Sequence, residues 1–334
     1  MKKIYSFLLL MLCVSATAFA GNAKCLLHHN GAVTLYDSDD INAALTAAVA
    51  GDTLFLSEGS FAGFTITKKI TVRGSGQFTK VGGEITINIP DNPTLTSALI
   101  EGIYCNSDLK IAGAVNGLQI KQSVFNNIYP LANINNAFFD KIFVTGTLHL
   151  NKYVLGLTSN NSKYYQIYHQ THIDNDYNCH IVSNASIYFV NCNIRSINEY
   201  NGNALQYVNF TNCILNDFSY PLKFCSITYC LYTKYYGLKY DEVSTSVEHN
   251  YNHNMDNDYT NGSNRLMNDM AECPYDAATL VSKGFIGNDG TAVGCLGGST
   301  PYTLVLAGPK VTESSIQLDN ENKQLSVTLK VTAK

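Results

Sequence analysis

The sequence predicts an all-β fold in which short strands wind into a parallel β-helix, a solenoid of stacked coils. Residues 51–76 contain three apolar runs, Leu54–Leu56, Phe64–Ile66 and Ile70–Val72, each too short for a useful helix. No hairpin dipeptide such as Asn-Gly separates these runs, which favours coils over meanders. An Asn-Cys pair also recurs with a spacing of 21 residues from Cys192 to Cys213, which is a solenoid period.

The N-terminus has the pattern of a secretory signal peptide. Met1-Lys2-Lys3 forms a positive region, Ile4 to Val14 are apolar, and Ala18-Phe19-Ala20 matches an A-x-A cleavage site. The apolar run is too short for a membrane span, and no later stretch reaches that length. We therefore expect an exported protein, either secreted, periplasmic or on the cell surface, with no transmembrane segment.

A short amphipathic helix is expected over residues 40–49. Ile41, Ala44, Leu45, Ala48 and Val49 recur with helical spacing and form one apolar face. An aspartate precedes this face and a glycine follows it, as is typical of helix ends. Because the open end of a solenoid exposes apolar side chains and unpaired backbone, it needs a cover. The helix is placed to be that N-terminal cap.

Short apolar segments continue along the chain after the first coil. Two of them, Ile187–Ile194 and Tyr207–Ile214, have similar sequences and contain Asn191-Cys192 and Asn212-Cys213. In stacked coils equivalent residues form ladders, so we expect each cysteine to lie inside and each asparagine at a corner. Asparagine tolerates the left-handed backbone that tight corners require.

The opening of the chain resembles the pectate-lyase-like right-handed parallel β-helix superfamily. The resemblance lies in the capping helix followed by Gly51-Asp52-Thr53, a corner at Gly59 and the triplet Gly74-Ser75-Gly76. The chain also resembles exported β-helix proteins of the Bacteroidetes, which close with a segment like Gly297–Thr303 and a short β tail. The resemblance covers about residues 30–300 and implies a right-handed β-helix.

The C-terminal segment alternates between apolar and polar residues and predicts a β-hairpin over residues 314–332. The expected domains are a signal peptide at residues 1–20, a β-helix at residues 21–300 and a C-terminal β tail at residues 301–334.

Composition limits the function classes. The formal net charge is -4 and charged residues make up 14% of the chain, so the cationic surface of a nucleic-acid binder is missing. We expect a monomer that does not bind nucleic acid. Its partner would be a polysaccharide or a cell-surface glycan.

Nine cysteines remain after the expected signal peptide, and their odd number leaves at least one thiol unpaired within a single chain. Most are expected to be core residues, since free cysteine behaves as a small apolar residue. If the chain forms a disulfide, Cys273–Cys295 is the expected pair because both lie near the C-terminus.

No catalytic residue can be assigned from the sequence. Enzymes of the resembled superfamily act on acidic polysaccharides by β-elimination or hydrolysis. A family signature with tryptophan cannot be present because the chain has none. The paired-aspartate and Gly-His-Gly patterns of its hydrolases are also missing. A two-carboxylate mechanism needs carboxylates at defined separations, and the carboxylates within the coils are sparse.

Two groups of residues are candidate binding sites. Asp256, Asp258 and Asn261 resemble the start of a calcium loop, although Asp and Asn also cluster in ordinary turns. A weaker copy lies at residues 174–178. Calcium is the one cofactor that the sequence suggests, and otherwise none is expected. Tyrosines could stack on sugar rings or simply form structural ladders; the candidates are Tyr232, Tyr235, Tyr236 and Tyr240.

Three functions remain open at this point. The favoured one is a non-catalytic exported β-helix protein that contacts glycans or a cell-surface partner along its flank. The alternatives are a polysaccharide lyase or glycoside hydrolase with a divergent active site, and a structural or adhesive surface module.

Overall fold

The structure is a computed structural model of the 334-residue chain. It describes residues 23–90, 98–169, 181–199, 204–218, 222–232, 244–252, 275–303, 310–319 and 324–332. Two compact units are present, residues 1–304 and residues 305–334. No helix in the described ranges has the length and apolar character needed to cross a membrane.

The first unit is a parallel β-helix, which confirms the predicted fold class. Sheet A contains twelve described strands, which pair in parallel except that Lys24–His29 is antiparallel to both of its neighbours. In order across the sheet they are Ala32–Asp37, Lys24–His29, Thr53–Leu56, Thr71–Arg73, Leu99–Glu101, Gln119–Lys121, Ala137–Asp140, Gly156–Asn160, Ser186–Val190, Val208–Thr211, Ser226–Thr228 and Ser246–Glu248.

Sheet B forms further sides of each coil and contains fourteen described strands. One row comprises Gly59–Phe61, Thr79–Val81, Tyr104–Cys105, Val124–Phe125, Phe143–Leu150, Lys163–His169, Asn193–Glu199, Ile214–Phe218, Leu231–Tyr232 and Tyr251–Asn252. A second row comprises Phe64–Ile66, Ile85–Ile87, Leu109–Ile111 and Ile128–Pro130. The two rows join at Phe143–Leu150, which pairs with both.

Short strand pairs and helices complete the first unit. Val115–Asn116 pairs with Ile134–Asn135, and Leu205–Gln206 pairs with Leu222–Lys223. The helices are α1 (Ile41–Ala47) and α2 (Ala277–Ser282), and single 3-10 turns lie at Ser38–Asp40 and Gly76–Phe78.

The second unit is an antiparallel hairpin of Lys310–Asp319 and Gln324–Thr332. It contains the hairpin expected at residues 314–332, and its first strand begins four residues earlier.

Helix α1 packs on the first coil as the predicted cap. Its buried residues Ile41, Ala44 and Leu45 belong to the same core as Leu54 and Ile66 of that coil. Lys68 lies at the next corner, where its Nζ donates to the Thr46 carbonyl at 2.7 Å and to the Ala48 carbonyl. A cation at this end satisfies unpaired carbonyls and complements the helix dipole.

Asp52 joins the cap to the first strand. Its carboxylate accepts hydrogen bonds from the Val49 backbone N–H at 2.8 Å and contacts His29 Nδ1 at 2.7 Å. Burial by itself would raise the pKa of Asp52, but these two contacts outweigh it, so its pKa lies below the usual value.

A hairpin at the N-terminal edge of sheet A was not expected from the sequence. Lys24–His29 and Ala32–Asp37 pair antiparallel through Asn30 and Gly31, both with positive φ, 46° and 82°. An Asn-Gly pair with both residues left-handed matches the type I′ turn. The signal for this hairpin is therefore present in the sequence.

The corner between sheets A and B explains the Asn-Cys pairs. Asn191 and Asn212 have φ values of 52° and 54°, and the following Cys192 and Cys213 are fully buried. Each of these cysteines donates from Sγ to the carbonyl two residues earlier. This confirms that asparagine occupies the corner and cysteine the interior.

Serine occupies the same inner position in other coils and makes the same contact. Ser123 Oγ donates to the Lys121 carbonyl and Ser162 Oγ to the Asn160 carbonyl, both at 2.7 Å. A small side chain with one donor is therefore what the position requires, and cysteine meets this need without a disulfide. Burial raises the pKa of the Cys192 and Cys213 thiols well above the usual value, which keeps them protonated.

All described cysteines are buried, namely Cys25, Cys105, Cys192, Cys213, Cys225, Cys230 and Cys295. Their burial agrees with the expectation that most cysteines are core residues. The expected Cys273–Cys295 pair includes Cys273, which lies outside the described residues.

Residues 275–303 form a segment that we call the strap. It packs its apolar residues Leu280 and Val293 on Ile214 and Leu231, which form a second small core with it. Ile214 is in register with the polar Asn193 of the preceding coil. The strap therefore covers a polar residue on one coil, Asn193, and an apolar residue at the equivalent position of the next coil, Ile214.

Asparagines of the corner hold the strap in place. Asn212 exchanges two hydrogen bonds with Asn288, each at 2.9 Å, and Asn161 Nδ2 donates to the Gly297 carbonyl at 2.7 Å. Asn193 Oδ1 accepts from the Cys295 N–H at 2.9 Å. The corner asparagines therefore serve both as turn residues and as attachment points.

Candidate functional site

A groove on the flank of the β-helix is the strongest candidate for a binding site. It has a volume of about 590 Å³, within the range of small-ligand sites. It lies beyond the end of the second row of sheet B, across four consecutive coils. The lining residues are Asn88, Ile89, Pro90, Ala112, Gly113, Ala114, Leu131, Ala132, Asn133 and Tyr153.

The groove exists because small residues lie on its two middle coils. The pairing of Ile87 with Ile111 and of Ile111 with Pro130 sets the register there. Residues 112–114 are Ala-Gly-Ala and residue 132 is alanine, whereas the outer coils present Ile89-Pro90 and Tyr153. The side chains of Gly113, Ala114 and Ala132 are shorter than those of Pro90 and Tyr153, which leaves a depression. Leu131, also on a middle coil, is 41% exposed and borders it.

Gly113 is required for the close stacking of the groove floor. A Cβ at this position would lie 2.5 Å from the Ile89 carbonyl oxygen. Because that neighbour is backbone, it cannot rotate away, and any larger residue would push two coils apart.

Tyr153 forms one end of the groove and is held by the turn before it. The buried Asn151 accepts from the Tyr153 backbone N–H at 3.0 Å and donates from Nδ2 to the Pro130 carbonyl at 2.9 Å. Val154 then bridges to Ile134 of the preceding coil. These contacts fix the backbone of Tyr153. Lys152 Nζ lies 5.4 Å from the ring centroid, a cation–π contact.

Polar groups face the groove from both sides. Asn88 and Asn133 are exposed, and within the described residues neither side-chain amide has a hydrogen-bond partner. Each amide offers two donors and one acceptor oxygen. Tyr153 is the one ionisable residue among those that line the groove. The described lining can therefore hydrogen-bond hydroxyl groups, and no carboxylate or imidazole is among its residues.

A polar row lies at the corner that precedes the second row of sheet B. Asp108 accepts from Asn127 Nδ2 at 2.8 Å and from Asn126 Nδ2 at 3.3 Å. Asn127 Oδ1 in turn accepts from the Thr147 backbone N–H at 2.8 Å. These side chains are fixed by one another across successive coils.

Glu84 and Lys110 form an ion pair at 2.6 Å in the same region. The hydrogen bond from Lys110 lowers the pKa of Glu84, and the contact with Glu84 raises the pKa of Lys110. Glu84 is therefore ionised near neutral pH and cannot act as a general acid there.

Tyr129 and His149 stack on neighbouring coils with ring centroids 4.2 Å apart. Tyr229 stacks on His249 and Tyr207 on Phe224 in the same manner elsewhere. In these ladders the facing ring surfaces cover each other, so those surfaces are closed to a ligand. We therefore interpret these stacked aromatic residues as structural ladders and not as ligand-binding residues.

Of the predicted ligand-binding tyrosines, the structure describes Tyr232. It is in register with the buried Leu215 and packs against the main core. Whether it contacts a ligand stays a prediction. The other predicted site residues lie outside the described residues; they are Tyr235, Tyr236, Tyr240, Asp256, Asp258 and Asn261. Residues 174–178 also lie outside. In the described ranges, no group of three or more metal-binding side chains is positioned to hold a cation.

No motif marks the groove in the sequence. Its floor combines Ala112–Ala114 with Ala132, which belong to different coils, and only the coil register brings them together. The usable signal is a pair of small residues, Gly113 and Ala132, at equivalent positions of two successive coils.

No protein-family model, curated protein or solved structure matches this chain.

Proposed function

We propose that this protein is an exported, non-catalytic β-helix protein that binds neutral saccharides in the groove between Asn88 and Tyr153. The signal-peptide pattern at residues 1–20 supports export. The single observation that carries the binding proposal is the lining itself. Alanine and glycine form the floor beside Leu131. Tyr153 faces the ligand space together with the amides of Asn88 and Asn133, which have no partner among the described residues.

These groups suit a sugar for physical reasons. A sugar ring has an apolar face that can lie on alanine and glycine, and its hydroxyls can pair with amide donors and acceptors. The Tyr153 ring adds an aromatic surface with a polar tip. None of the residues that line the groove is charged, and the nearby Lys152 lies against the Tyr153 ring at one end. We therefore propose neutral sugars as the ligand class.

The proposal is tested by isothermal titration with neutral and acidic oligosaccharides and by replacing Asn133 with alanine. Loss of one amide that pairs with a hydroxyl costs about 1 kcal/mol, so the dissociation constant should rise about five-fold. A matched control is Asn160→Ala, on the outer face of sheet A, which should leave the dissociation constant unchanged.

Equal effects of the two replacements would contradict binding in the groove. Tighter binding of acidic than neutral sugars would contradict the proposed ligand class. The same reactions should release no new reducing ends and no unsaturated products.

A glycoside hydrolase is the second candidate because of one observation on sheet A. Asp140 and Glu101 lie in one outward row, separated by Lys121. This places their Cα atoms about 10 Å apart, a spacing that allows the two carboxylates to reach the separation of inverting hydrolases, roughly 6.5–9.5 Å. Burial raises the pKa of Asp140, as a general acid requires, and Glu101 is paired with Arg73 at 2.9 Å. New reducing ends in the assay above would favour this function.

A further inference from the structure

We infer that the groove accepts short neutral oligosaccharides or the ends of chains, and excludes internal segments of long polysaccharides. This inference rests on the proposed saccharide binding and adds the length of the ligand. It follows from what closes the groove at its two ends.

The small residues that form the floor are confined to two coils. Ala114 and Asn133 occupy equivalent positions on these coils, as the pairing of Val115 with Ile134 shows. Tyr153 follows in the same row on the next coil, since Ile134 bridges to Val154. At the other end Gly113 stacks on the backbone of the buried Ile89, and the exposed Pro90 follows. Pro90 and Tyr153 therefore limit the groove along the solenoid axis.

The distance between the two ends sets the ligand length. Three coil steps separate Pro90 from Tyr153, and at the usual spacing between strands this is about 14 Å, or roughly two to three sugar rings. A longer chain that follows the solenoid axis would have to rise over Tyr153 or Pro90. The backbone of Tyr153 is held by Asn151, which accepts from the Tyr153 N–H and donates to the Pro130 carbonyl of the preceding coil.

A length series tests this inference. Unbranched β-1,4-linked oligomers of glucose, xylose and mannose, from two to six units, are titrated into the mature protein together with the corresponding soluble polymers. We expect the affinity to rise up to about three units and then to stay constant within about two-fold. For the polymers, the amount bound should be proportional to the concentration of chain ends.

The variant Tyr153→Ala opens one end of the groove. In this variant a six-unit oligomer should bind about five-fold more tightly than a three-unit oligomer, as expected for one added hydrogen bond or ring contact. Tyr188→Ala, an exposed tyrosine on sheet A, is the control and should keep the wild-type length dependence. Circular dichroism and the melting temperature check that both variants are folded.

The possible results distinguish a failure of the length limit from a failure of saccharide binding. Affinity that keeps rising through six units in the wild type overturns the length limit but leaves saccharide binding intact. The same length dependence in wild type and Tyr153→Ala also overturns it. If none of the oligomers or polymers binds, the proposed function itself is wrong.

Discussion

Replacing Phe189 with alanine is expected to lower the free energy of unfolding by about 3–5 kcal/mol. Phe189 is fully buried inside the coil. Its ring stacks on Phe210 with centroids 5.5 Å apart and meets the edge of Tyr164 at 5.4 Å. The loss combines the transfer of a large apolar side chain with a cavity that the stacked coils cannot close, since their backbones are hydrogen-bonded on both sides. Urea denaturation measures the change.

The neighbouring residue provides the control for this prediction. Tyr188 lies on the same strand, points outward and is 45% exposed. Because it buries little apolar surface, Tyr188→Ala should change the free energy of unfolding by less than about 0.5 kcal/mol. If both replacements were equally costly, the assignment of inner and outer faces on sheet A would be wrong.

Replacing Asn212 with alanine is expected to cost about 2–4 kcal/mol and to loosen the strap. The change removes both hydrogen bonds to Asn288, leaving the partly buried Asn288 N–H unpaired. It also places alanine at φ 54°, a left-handed conformation that alanine adopts only at a cost. Urea denaturation measures the stability, and limited proteolysis followed by mass spectrometry detects new cleavage within residues 275–303.

The variant Asn136→Ala separates the cost of the left-handed backbone from the cost of losing the strap contacts. Asn136 occupies another corner with φ 49° and is exposed. Its Nδ2 donates to Asn116 Oδ1 at 2.9 Å on the surface, and among the described residues it makes no contact with the strap. Its replacement should cost about 1–2 kcal/mol, for the left-handed backbone, and should leave strap proteolysis unchanged. An Asn212→Ala variant that is no less stable than Asn136→Ala would contradict the anchoring role of the corner amides.

The fold could be predicted from the sequence because its determinants are local or periodic. The apolar spacing of residues 41–49 identifies the capping helix, and the 21-residue spacing of Cys192 and Cys213 identifies stacked coils. Asparagine before a small buried residue identifies the corner, because few residues tolerate a left-handed conformation. Each of these signals lies within about one coil of sequence.

The strap and the groove could not be predicted in this way. Asn161 contacts Gly297, which is 136 residues away, and nothing near Asn161 indicates that its amide has a partner beyond the corner. The groove depends on alanine and glycine, which have no chemical signature of their own. What matters there is the contrast between small residues and the bulkier Pro90 and Tyr153 of adjacent coils, and the coil register defines that contrast.

The coil register also decides which aromatic residues stack in ladders and which can contact a ligand. Tyrosines are good strand residues whether they form ladders or bind ligands, so composition alone leaves both uses open. Stacking of Tyr129 on His149 and of Tyr229 on His249 closes the facing ring surfaces. Tyr153 differs because it follows a turn and borders a depression, so it can present its ring to a ligand.

The central claim is that saccharides bind in the groove between Asn88 and Tyr153, and hydrogen-exchange mass spectrometry with a saturating neutral trisaccharide tests it most directly. Bound ligand should slow amide exchange in peptides that cover residues 112–114, 131–133 and 152–154. Peptides from sheet A and from the strap should exchange at the same rate with and without the sugar. Protection confined to the row of Glu101 and Asp140, or to the strap, would contradict the claim.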